Sequence, residues 1–549
     1  MTTGRLTAEQ RRHDLDELRR GTVDVLVVGG GVVGAGSALD AATRGLTVGL
    51  LERDDWASGT SSRSSRLAHG GLRYLEQLEF GLVHEALTER GLLLERIAPH
   101  LVRPVRFVFP LSAQWERPYI GAGVALYDVL ARFGARSGSL PGHRHLSKRA
   151  ALRLVPGLED SSLAGAITFF DAQIDDARHT LATVRTAAAH GALVASRVEV
   201  VGLLRDGDAV RGVRAIDHLT GESFDVRARC VVAALGVWGG RVPSLLGEDE
   251  PERPVVPSKG VHLVVRRQAI DSHTAVIART ASSVLFLLPW GSDWLVGTTD
   301  TPWEGGSDTF DDVRATAADV DYLIDEANRW LSRPLQREDI ISTYAGLRPL
   351  VPEEDVSDTA RVSREHVVAT PAPGLVTVAG GKYTTYRVMA ADAVDAAVGE
   401  LPPELGVGGS RTAGVPLVGA EGYAALWAER DALAVEWGVS PTTAGRLLRR
   451  HGDQVADVVE LMREDPALAE PVAGSRYLAA ELVQAARAEG ALGLGDVLLR
   501  RTHLGLEVAD GGAAAVPDVA RLLAAELGWD DERCAAEQAA YLATVPTTG

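Results

Sequence analysis

The chain has 549 residues, more than one hydrophobic core accommodates, so we expect two or three domains. Hydrophobic residues make up 46% and charged residues 24%, the composition of a soluble globular protein. The net charge of −18 argues against a nucleic-acid partner. Two widely separated cysteines, Cys230 and Cys534, exclude a disulfide scaffold and fit a reducing cytoplasm. Because no apolar run of about 18 residues occurs, no segment is expected to span a membrane, although peripheral contact needs only a surface patch.

A nucleotide-binding unit follows an amphipathic helix predicted at 5–20. An apolar strand pattern leads into Gly29, Gly31 and Gly34 at the spacing G-x-G-x-x-G, followed by a helix pattern and a second strand ending in Glu52. The glycines permit a tight turn, backbone approach to a pyrophosphate, and close packing of helix on strand. Glu52 is placed to accept hydrogen bonds from a ribose diol, and its charge disfavours NADP. The motif predicts dinucleotide binding and leaves NAD and FAD open.

The rest of the chain alternates strand and helix patterns. In order, the patterns predict a helix from about 72 to 100, strands and loops over 101–165, a helix and strand over 171–194, a three-stranded meander up to 234, strands around one helix (311–332) over 254–350, a strand–glycine–helix unit at 374–398, and helices from about 410 onward. The Gly/Pro-rich stretch 400–410 is the clearest linker.

A nucleotide-binding half interrupted by inserted strands is common in flavoproteins of the glutathione-reductase class and uncommon in NAD dehydrogenases, which favours FAD. We therefore predict an α/β protein with a Rossmann-like FAD-binding domain of glutathione-reductase type, an inserted antiparallel-sheet substrate domain and a C-terminal all-helical domain. The expected segments are 20–100, 166–250 and 355–400 for the FAD-binding domain, 101–165 and 251–354 for the substrate domain, and 410–549 for the helical domain.

The first candidate for chemistry after the glycine motif is the stretch GTSSRSSRLAHGGLRY at 59–74. A solvated loop with a helix cap is one interpretation of its hydroxyls and glycines. The functional interpretation is a loop, with Ser61 and Ser62, that lines a polyphosphate and an isoalloxazine ring. Arg73 and Tyr74 then present a cation and a phenol to the substrate.

Three further stretches lie on predicted strands. His262 opens a strand in SKGVHLVV, a position where a purely structural histidine is the commoner case. A Thr/Asp cluster ends the strand of VGTTDTPWEG at 296–305, which also fits a capped turn. Arg348 in YAGLRPL, with Arg364 soon after in SREH, is costly to bury unpaired, so we expect it to meet an anion.

The last stretch, VTVAGGKYTTYRVM at 376–389, repeats the arrangement of a strand, glycines and a helix N-terminus that binds an anion or a flavin. Gly381 and Thr384 lie in this turn, and Lys382 supplies a cation there. No metal site is expected, because the histidines are scattered without ligand spacing.

Taken in this order, the stretches resemble the FAD-dependent glycerol-3-phosphate dehydrogenase family, whose members pass electrons on to quinone or oxygen. The resemblance covers roughly residues 20–510 and rests on GGGVVGAG, SSRSSRLAHGGLRYLE, DAQIDDAR, SKGVHLVV, VGTTDTPWEG, AGLRPL, SREH, GGKYTTYR, YLAAEL and DVLLRRTHLGL. The family usually has Lys where Arg66 stands, Leu where Tyr383 stands, and an Asn-Ala-x-Gly-Pro-Trp run where this chain has AALGVW at 233–238. The run at 233–238 is expected to lie near the FAD, so this difference bears on how the flavin packs and not on the fold.

The resemblance implies oxidation of sn-glycerol 3-phosphate at C2 to dihydroxyacetone phosphate, with hydride transfer to flavin N5 and electrons passed on to a quinone. A phosphate needs several cations, and four segments supply them: Arg73, Arg348, Arg364 and Lys382. His262 is the first candidate for the base at the C2 hydroxyl, and Arg348 assisted by Tyr74 is the alternative.

The same resemblance assigns the cofactor contacts. Gly29, Gly31, Gly34 and Glu52 are expected to hold the ADP half of FAD, and the flavin half is expected to lie against Ser61, Ser62, Gly381, Lys382 and Thr384.

Three alternatives stay open at this point: a glycerol-3-phosphate oxidase that uses oxygen, another FAD-dependent amine or 2-hydroxy-acid oxidase, and a flavin-free regulatory subunit. The resemblance also implies a homodimer. A cytoplasmic location is expected, with peripheral contact at the inner face of the cell membrane if the acceptor is a quinone.

Overall fold

The computed structural model describes residues 4–76, 78–134, 140–161, 163–246, 255–280, 284–351 and 365–545, without the side chains of Arg73, Phe133 and Pro243. The chain folds into two β-sheets, helices packed on them, and a C-terminal helical region. This arrangement confirms the predicted α/β fold class. Arg364, a predicted substrate ligand, lies outside the described residues.

The strands, in chain order, are β1 Thr22–Val28, β2 Val48–Leu51, β3 Leu67–Ala68, β4 Val102–Leu111, β5 Arg144–Ser147, β6 Gly165–Ile174, β7 Leu193–Ala195, β8 Val198–Asp206, β9 Ala209–Asp217, β10 Glu222–Ala233, β11 Val256–Val265, β12 Ala275–Arg279, β13 Val284–Trp290, β14 Asp293–Gly297, β15 Thr301–Pro302, β16 Ile340–Leu350, β17 His366–Ala372 and β18 Leu375–Gly380.

The α-helices are α1 Ala8–Arg20, α2 Val32–Thr43, α3 Phe80–Leu92, α4 Glu116–Gly134, α5 Lys148–Leu154, α6 Asp176–Ala189, α7 Val242–Leu246, α8 Ala317–Asn328, α9 Tyr386–Gly399, α10 Tyr423–Ala428, α11 Arg430–Trp437, α12 Pro441–His451, α13 Val455–Glu464, α14 Ala479–Ala488, α15 Leu504–Glu507, α16 Val516–Leu527 and α17 Asp531–Thr544.

The first sheet carries the glycine motif. Its strands follow the order β17-β18-β10-β1-β2-β7, with the central strand β1 parallel to β2 and β10. Val25 and Val27 of β1 are fully buried against helices, and α2 packs against α6 and α9. Strands β8, β9 and β10 form the predicted meander, with antiparallel pairing throughout. The buried parallel strand predicted before the glycine motif is therefore confirmed.

The second sheet is built mainly from antiparallel pairs in the order β15-β11-β14-β13-β12-β4-β6-β3, with β16 beside β11 and β5 beside β6. Strands β3 and β6 belong to it, although the sequence analysis places both in FAD-binding segments. Strand β6 pairs with β4 along its whole length, so the second sheet extends beyond the predicted boundary at 165. The sequence of an apolar strand does not show to which of the two sheets the strand belongs. The predicted domain boundaries therefore stay predictions.

Helix α4 was not anticipated, and the expectation of strands and loops throughout 101–165 is wrong there. Its inner face is buried through Ile120, Val124 and Tyr127. Its outer face also carries apolar side chains, including Tyr119 and Leu126. Because both faces are apolar, the helical periodicity is masked in the sequence.

The C-terminal region, α10 to α17, has its own apolar clusters and joins the first sheet through buried ion pairs. Asp55 binds Arg501 through two oxygens, at 2.6 and 2.7 Å, and also binds Arg500 at 2.5 Å. Although burial acts in the opposite direction, the two guanidinium groups hold the pKa of Asp55 below its ordinary value. Within the described residues, no helix combines the length and apolarity needed to cross a membrane.

We predict that Asp55→Ala lowers the free energy of unfolding by about 3–5 kcal/mol, because it leaves the buried Arg501 guanidinium without its carboxylate and leaves Arg500 with Asp496 alone. Denaturant unfolding of the purified protein measures this change. The control is Asp518→Ala, which removes an exposed partner of Arg521 and is expected to change the free energy by about 0.5 kcal/mol or less. Equal effects of the two substitutions would contradict the role given to Asp55.

Candidate active site

A cavity of about 1080 Å³ is lined by residues of both sheets. Its volume is slightly above the usual range of about 300–1,000 Å³ for ligand sites. It brings together most of the predicted site residues, namely Gly29, Gly31, Glu52, Ser61, Tyr74, His262, Arg348, Gly381 and Lys382. Gly34, Ser62 and Thr384 are described but are not among the lining residues.

At one end of the cavity the glycine motif connects β1 to α2. Gly29 has a φ of +108°, and Gly31 is the N-cap of α2. A methyl group at Gly34 would overlap the carbonyl oxygen of Gly29, so this glycine is needed for the close packing of helix on strand. The hydroxyl of Ser61 accepts the Val32 N–H at 2.9 Å and so lies at the helix N-terminus. The first residues of α2 also line the cavity, so a phosphate bound there would meet the positive end of the helix dipole.

Glu52 closes this end of the cavity. Its carboxylate accepts the N–H of Gly30 at 2.5 Å and the N–H of Asp54 at 2.8 Å. Burial raises the pKa of Glu52 to about 7, against the effect of these two hydrogen bonds. Glu52 therefore holds the glycine loop in place and offers an oxygen to a diol in the cavity.

The turn at 381–384 closes the cavity on another side. The Thr384 hydroxyl accepts the His69 N–H at 3.1 Å and donates to the His69 carbonyl at 3.2 Å, which ties the turn to the serine-rich loop. The Lys382 ammonium lies 3.6 Å from the ring centre of Tyr74, in a cation–π contact. A side chain at Gly71 would overlap the Tyr74 ring. The structure thus brings Lys382 and Tyr74 together, as two of the predicted substrate contacts.

The second sheet contributes a bare patch of backbone. Strands β11 and β16 pair Ser258 with Arg348, Gly260 with Gly346 and His262 with Tyr344, and alternate residues share one face. Between the outer pairs lie only the two opposed glycines. A side chain at Gly260 would overlap the Arg348 guanidinium, so the arginine lies flat across this space.

The Arg348 guanidinium is held by residues 298–300, which follow β14. Its Nη2 donates to the Thr298 hydroxyl at 2.9 Å and to the Thr299 carbonyl at 3.0 Å, and its Nη1 lies 3.3 Å from an Asp300 oxygen. Asp300 in turn accepts a hydrogen bond from Ser258. The Thr/Asp cluster found in the sequence is therefore the support of Arg348.

His262 is almost fully buried and its ring stacks on Tyr344, with ring centres 4.8 Å apart and planes inclined by 14°. Its Nε2 lies 2.9 Å from the Ser65 hydroxyl. Burial, with the positive charges of Arg348 and Arg66, lowers the pKa of His262 to about 3. The imidazole is therefore neutral at physiological pH.

Arg63, Ser65 and Tyr344 were not singled out from the sequence, and Asp300 was noted only as part of the Thr/Asp cluster. The backbone of Arg63 covers Gly346, and Ser65 and Asp300 line the cavity. All four lie inside stretches that were marked as functional from the sequence. Their roles depend on contacts across strands and loops, for which a single sequence carries no signal.

The residues present fit FAD. A helix N-terminus preceded by glycines suits a pyrophosphate, and Glu52 suits a ribose diol. The model of the family described as FAD dependent oxidoreductase matches residues 24–387, and the model of the C-terminal domain of alpha-glycerophosphate oxidase matches residues 410–534. Glycerol-3-phosphate dehydrogenase 2 of Mycobacterium tuberculosis is 50% identical over 524 residues, covering 95% of this chain and 88% of that protein. The chain belongs to the FAD-dependent glycerol-3-phosphate dehydrogenase family.

Further relatives agree with this membership. The human mitochondrial glycerol-3-phosphate dehydrogenase is 38% identical, over 92% of this chain and 71% of that protein. The crystal structure of glycerol-3-phosphate dehydrogenase from Bacillus halodurans complexed with FAD has a TM-score of 0.79 and 28% identity, covering 98% of both chains. Glycine oxidase from Geobacillus kaustophilus, at 23% identity and a TM-score of 0.51 over 69% of this chain and 96% of that one, shares the fold alone. This member of the family is an FAD-dependent oxidoreductase.

We predict that Glu52→Ala yields protein with a strongly reduced flavin content, because it removes the acceptor of two loop N–H groups and of the ribose diol. Glu52→Gln retains one acceptor oxygen and should give an intermediate content. The ratio of flavin to protein absorbance after purification measures both. Glu436→Ala removes an exposed partner of Arg463 and serves as the control. Full flavin content in Glu52→Ala would contradict the role of this carboxylate.

A second prediction concerns pH and His262. Because the folded pKa of about 3 lies below the ordinary value of 6.5, the unfolded chain takes up a proton that the folded chain excludes. Stability should therefore fall as pH decreases from 6.5 towards 3, by up to about 1.4 kcal/mol per pH unit from this group.

The prediction is tested with His262→Asn, which should lose this share of the pH dependence. Denaturant unfolding at several pH values measures it against wild type and against substitution of the exposed His84. His100 and His179, whose pKa values burial also lowers to about 3, are present in all variants, so the difference isolates His262. An unchanged slope in His262→Asn would contradict a neutral buried imidazole.

Proposed function

We propose that this enzyme oxidises the C2 hydroxyl of sn-glycerol 3-phosphate to the ketone of dihydroxyacetone phosphate and that the electrons pass on to a quinone. The observation that carries the proposal is that two of the four predicted phosphate ligands, Arg348 and Lys382, line the same cavity as the dinucleotide motif. The names of the relatives above support the same substrate. FAD, when bound, supplies the acceptor for the hydride that leaves C2.

The phosphate is assigned to Arg348 and Lys382. Because residues 298–300 hold the guanidinium through Nη1 and Nη2, Arg348 is fixed in position and presents its positive charge to the phosphate. Lys382 adds a compact second charge whose position depends on the Tyr74 ring beneath it. Arg73 and Arg364 complete the predicted set, and both side chains lie outside the described residues.

The proton of the C2 hydroxyl is assigned to His262. The imidazole is neutral, as a base must be, but burial and, to a smaller extent, the positive charge of Arg348 lower its pKa to about 3, which makes it a weak base. A bound phosphate dianion offsets the Arg348 contribution and so raises the imidazole pKa. The imidazole is therefore a stronger base when the phosphorylated substrate is in place. The alternative is that Arg348 stabilises alkoxide character at C2 while Tyr74 orients the hydroxyl.

A quinone is favoured as acceptor by the entrance of the cavity. Four exposed apolar residues also line the cavity, and we call them the apolar rim: Leu78, Phe80, Tyr119 and Leu126. The exposed apolar stripe continues along α4 to Val129. Exposed apolar patches of this kind mark interaction sites, and an aromatic–aliphatic helix face suits the boundary of a lipid surface. A lipophilic acceptor would reach the cavity across this rim.

The homodimer and the cytoplasmic location, with contact at the inner face of the membrane, follow from the resemblance and stay part of the proposal. Oxygen as the acceptor is the competing form of the same function. It differs from the quinone form in one measurable step, the reoxidation of the reduced enzyme.

We predict that a soluble quinone analogue reoxidises the substrate-reduced enzyme faster than air does. The enzyme is reduced without oxygen, and the return of flavin absorbance is followed after addition of either acceptor. Serine substitution of Leu126 in the apolar rim should slow the reaction with a long-chain quinone in lipid vesicles and leave the reaction with a soluble dye unchanged. Reoxidation by air at the rate of turnover would contradict the quinone assignment and favour an oxidase.

We predict that Arg348→Ala lowers kcat/KM by about 100-fold or more, because charge-assisted hydrogen bonds to the phosphate are lost, while the flavin content stays normal. Steady-state kinetics with sn-glycerol 3-phosphate and the flavin-to-protein absorbance ratio measure the two effects. Arg214→Ala, which removes an exposed arginine paired with Asp225 on the meander, is the matched control. Undiminished activity in Arg348→Ala would remove this residue from the site.

A further inference from the structure

The loop that faces His262 is anchored by the residues on either side of Ser65. The Ser64 N–H and hydroxyl donate to Asp176 at 3.1 and 2.7 Å, and its carbonyl accepts the Tyr344 hydroxyl at 2.8 Å. The Arg66 N–H donates to the Ser64 hydroxyl at 3.0 Å. The Arg66 guanidinium lies 3.1 Å from His503 of the C-terminal region and 3.4 Å from Asp176. None of these contacts uses the side chain of Ser65.

The Ser65 side chain instead faces His262. Ser65 lines the cavity, and in the described part of the chain the one hydrogen bond of its hydroxyl is to His262 Nε2, at 2.9 Å. The other ring nitrogen, Nδ1, is buried and has no hydrogen-bond partner among the described residues. The ring itself is held flat on Tyr344. Nε2 is therefore the ring nitrogen that can exchange a proton with the cavity, and the Ser65 hydroxyl lies next to it.

We propose that Ser65 relays the proton between the C2 hydroxyl of the substrate and His262 Nε2. A substrate hydroxyl that bonded directly to Nε2 would have to displace Ser65, whereas a serine hydroxyl donates and accepts at the same time. In the oxidation, the substrate O–H bond breaks and its proton moves to Ser65 Oγ as the proton of Ser65 moves to Nε2. The C2–H bond breaks with its electron pair leaving as hydride, and the C2=O bond forms.

The balance leaves an intact serine, an imidazolium and a ketone, with FAD of the established activity as the oxidant. The relay rests on the proposed function, since it assumes that His262 is the base. It also gives Ser64 and Ser65 different roles, because Ser64 fixes the loop through Asp176 and Ser65 takes part in proton transfer.

The test is the rate of flavin reduction by sn-glycerol 3-phosphate without oxygen, in rapid mixing. Ser65→Ala is expected to slow this rate by about 100-fold or more and to keep the wild-type flavin content. Ser65→Thr, which retains a hydroxyl, should stay within about tenfold of wild type. Ser64→Ala serves as the structural comparison and is expected to lose flavin, because the loop loses its anchor on Asp176.

A double substitution separates the relay from a structural effect. If Ser65 acts through His262, adding Ser65→Ala to His262→Ala causes no further loss of rate, whereas independent roles would multiply the two losses. Wild-type reduction rates in Ser65→Ala, a multiplied loss in the double variant, or loss of FAD from Ser65→Ala would each overturn the relay. A wild-type enzyme that sn-glycerol 3-phosphate does not reduce would overturn the substrate assignment instead.

Discussion

Where strands β11 and β16 meet, Gly260 and Gly346 stand opposite each other and leave the sheet face without side chains. The Arg348 guanidinium lies across this gap, and the backbone of Arg63 packs on Gly346. The gap therefore lets a rigid sheet, instead of a loop, hold the Arg348 guanidinium and the His262 imidazole. Arg348 lies opposite Ser258, which is four residues before His262 on β11. Sites held on strands keep their geometry better than sites on loops, and in this sheet the spacing of Arg348 and His262 depends on the two glycines.

The C-terminal region bears on this site through buried charges. Arg178 binds Glu489 at 2.6 Å, Asp55 binds Arg501, and Arg66 lies against His503. Buried ion pairs add little net stability, but breaking one leaves an uncompensated charge and is costly. Such pairs therefore hold two parts of a chain in one arrangement. Since Arg66 follows the two serines that face the cavity, the helical region helps to set the position of that loop.

The sequence predicted the dinucleotide unit well, because the glycine spacing, the flanking strands and Glu52 all depend on neighbours close in the chain. The positions and pairings of the other strands and helices were predicted less accurately. Helix α4 was missed because Tyr119 and Leu126 make its outer face apolar, and the pairing of β6 with β4 was not predicted because an apolar strand does not specify its partner. His262 was found as a candidate, but its neutral state depends on burial and on Arg348, which only the fold brings near it. The role of Ser65 could not be found from the sequence either, because its contact with His262 joins a loop to a strand far away in the chain.

The central claim is that this cavity oxidises sn-glycerol 3-phosphate on a bound flavin. The most direct test is to add sn-glycerol 3-phosphate to the purified flavoprotein without oxygen and to follow the flavin absorbance, with the enantiomer sn-glycerol 1-phosphate as the control. The account predicts rapid bleaching by the first compound and little by the second, since the cations proposed to hold the phosphate would fix which face of C2 meets the flavin. Flavin that stays oxidised with sn-glycerol 3-phosphate would contradict the assignment and leave only the fold and the cofactor.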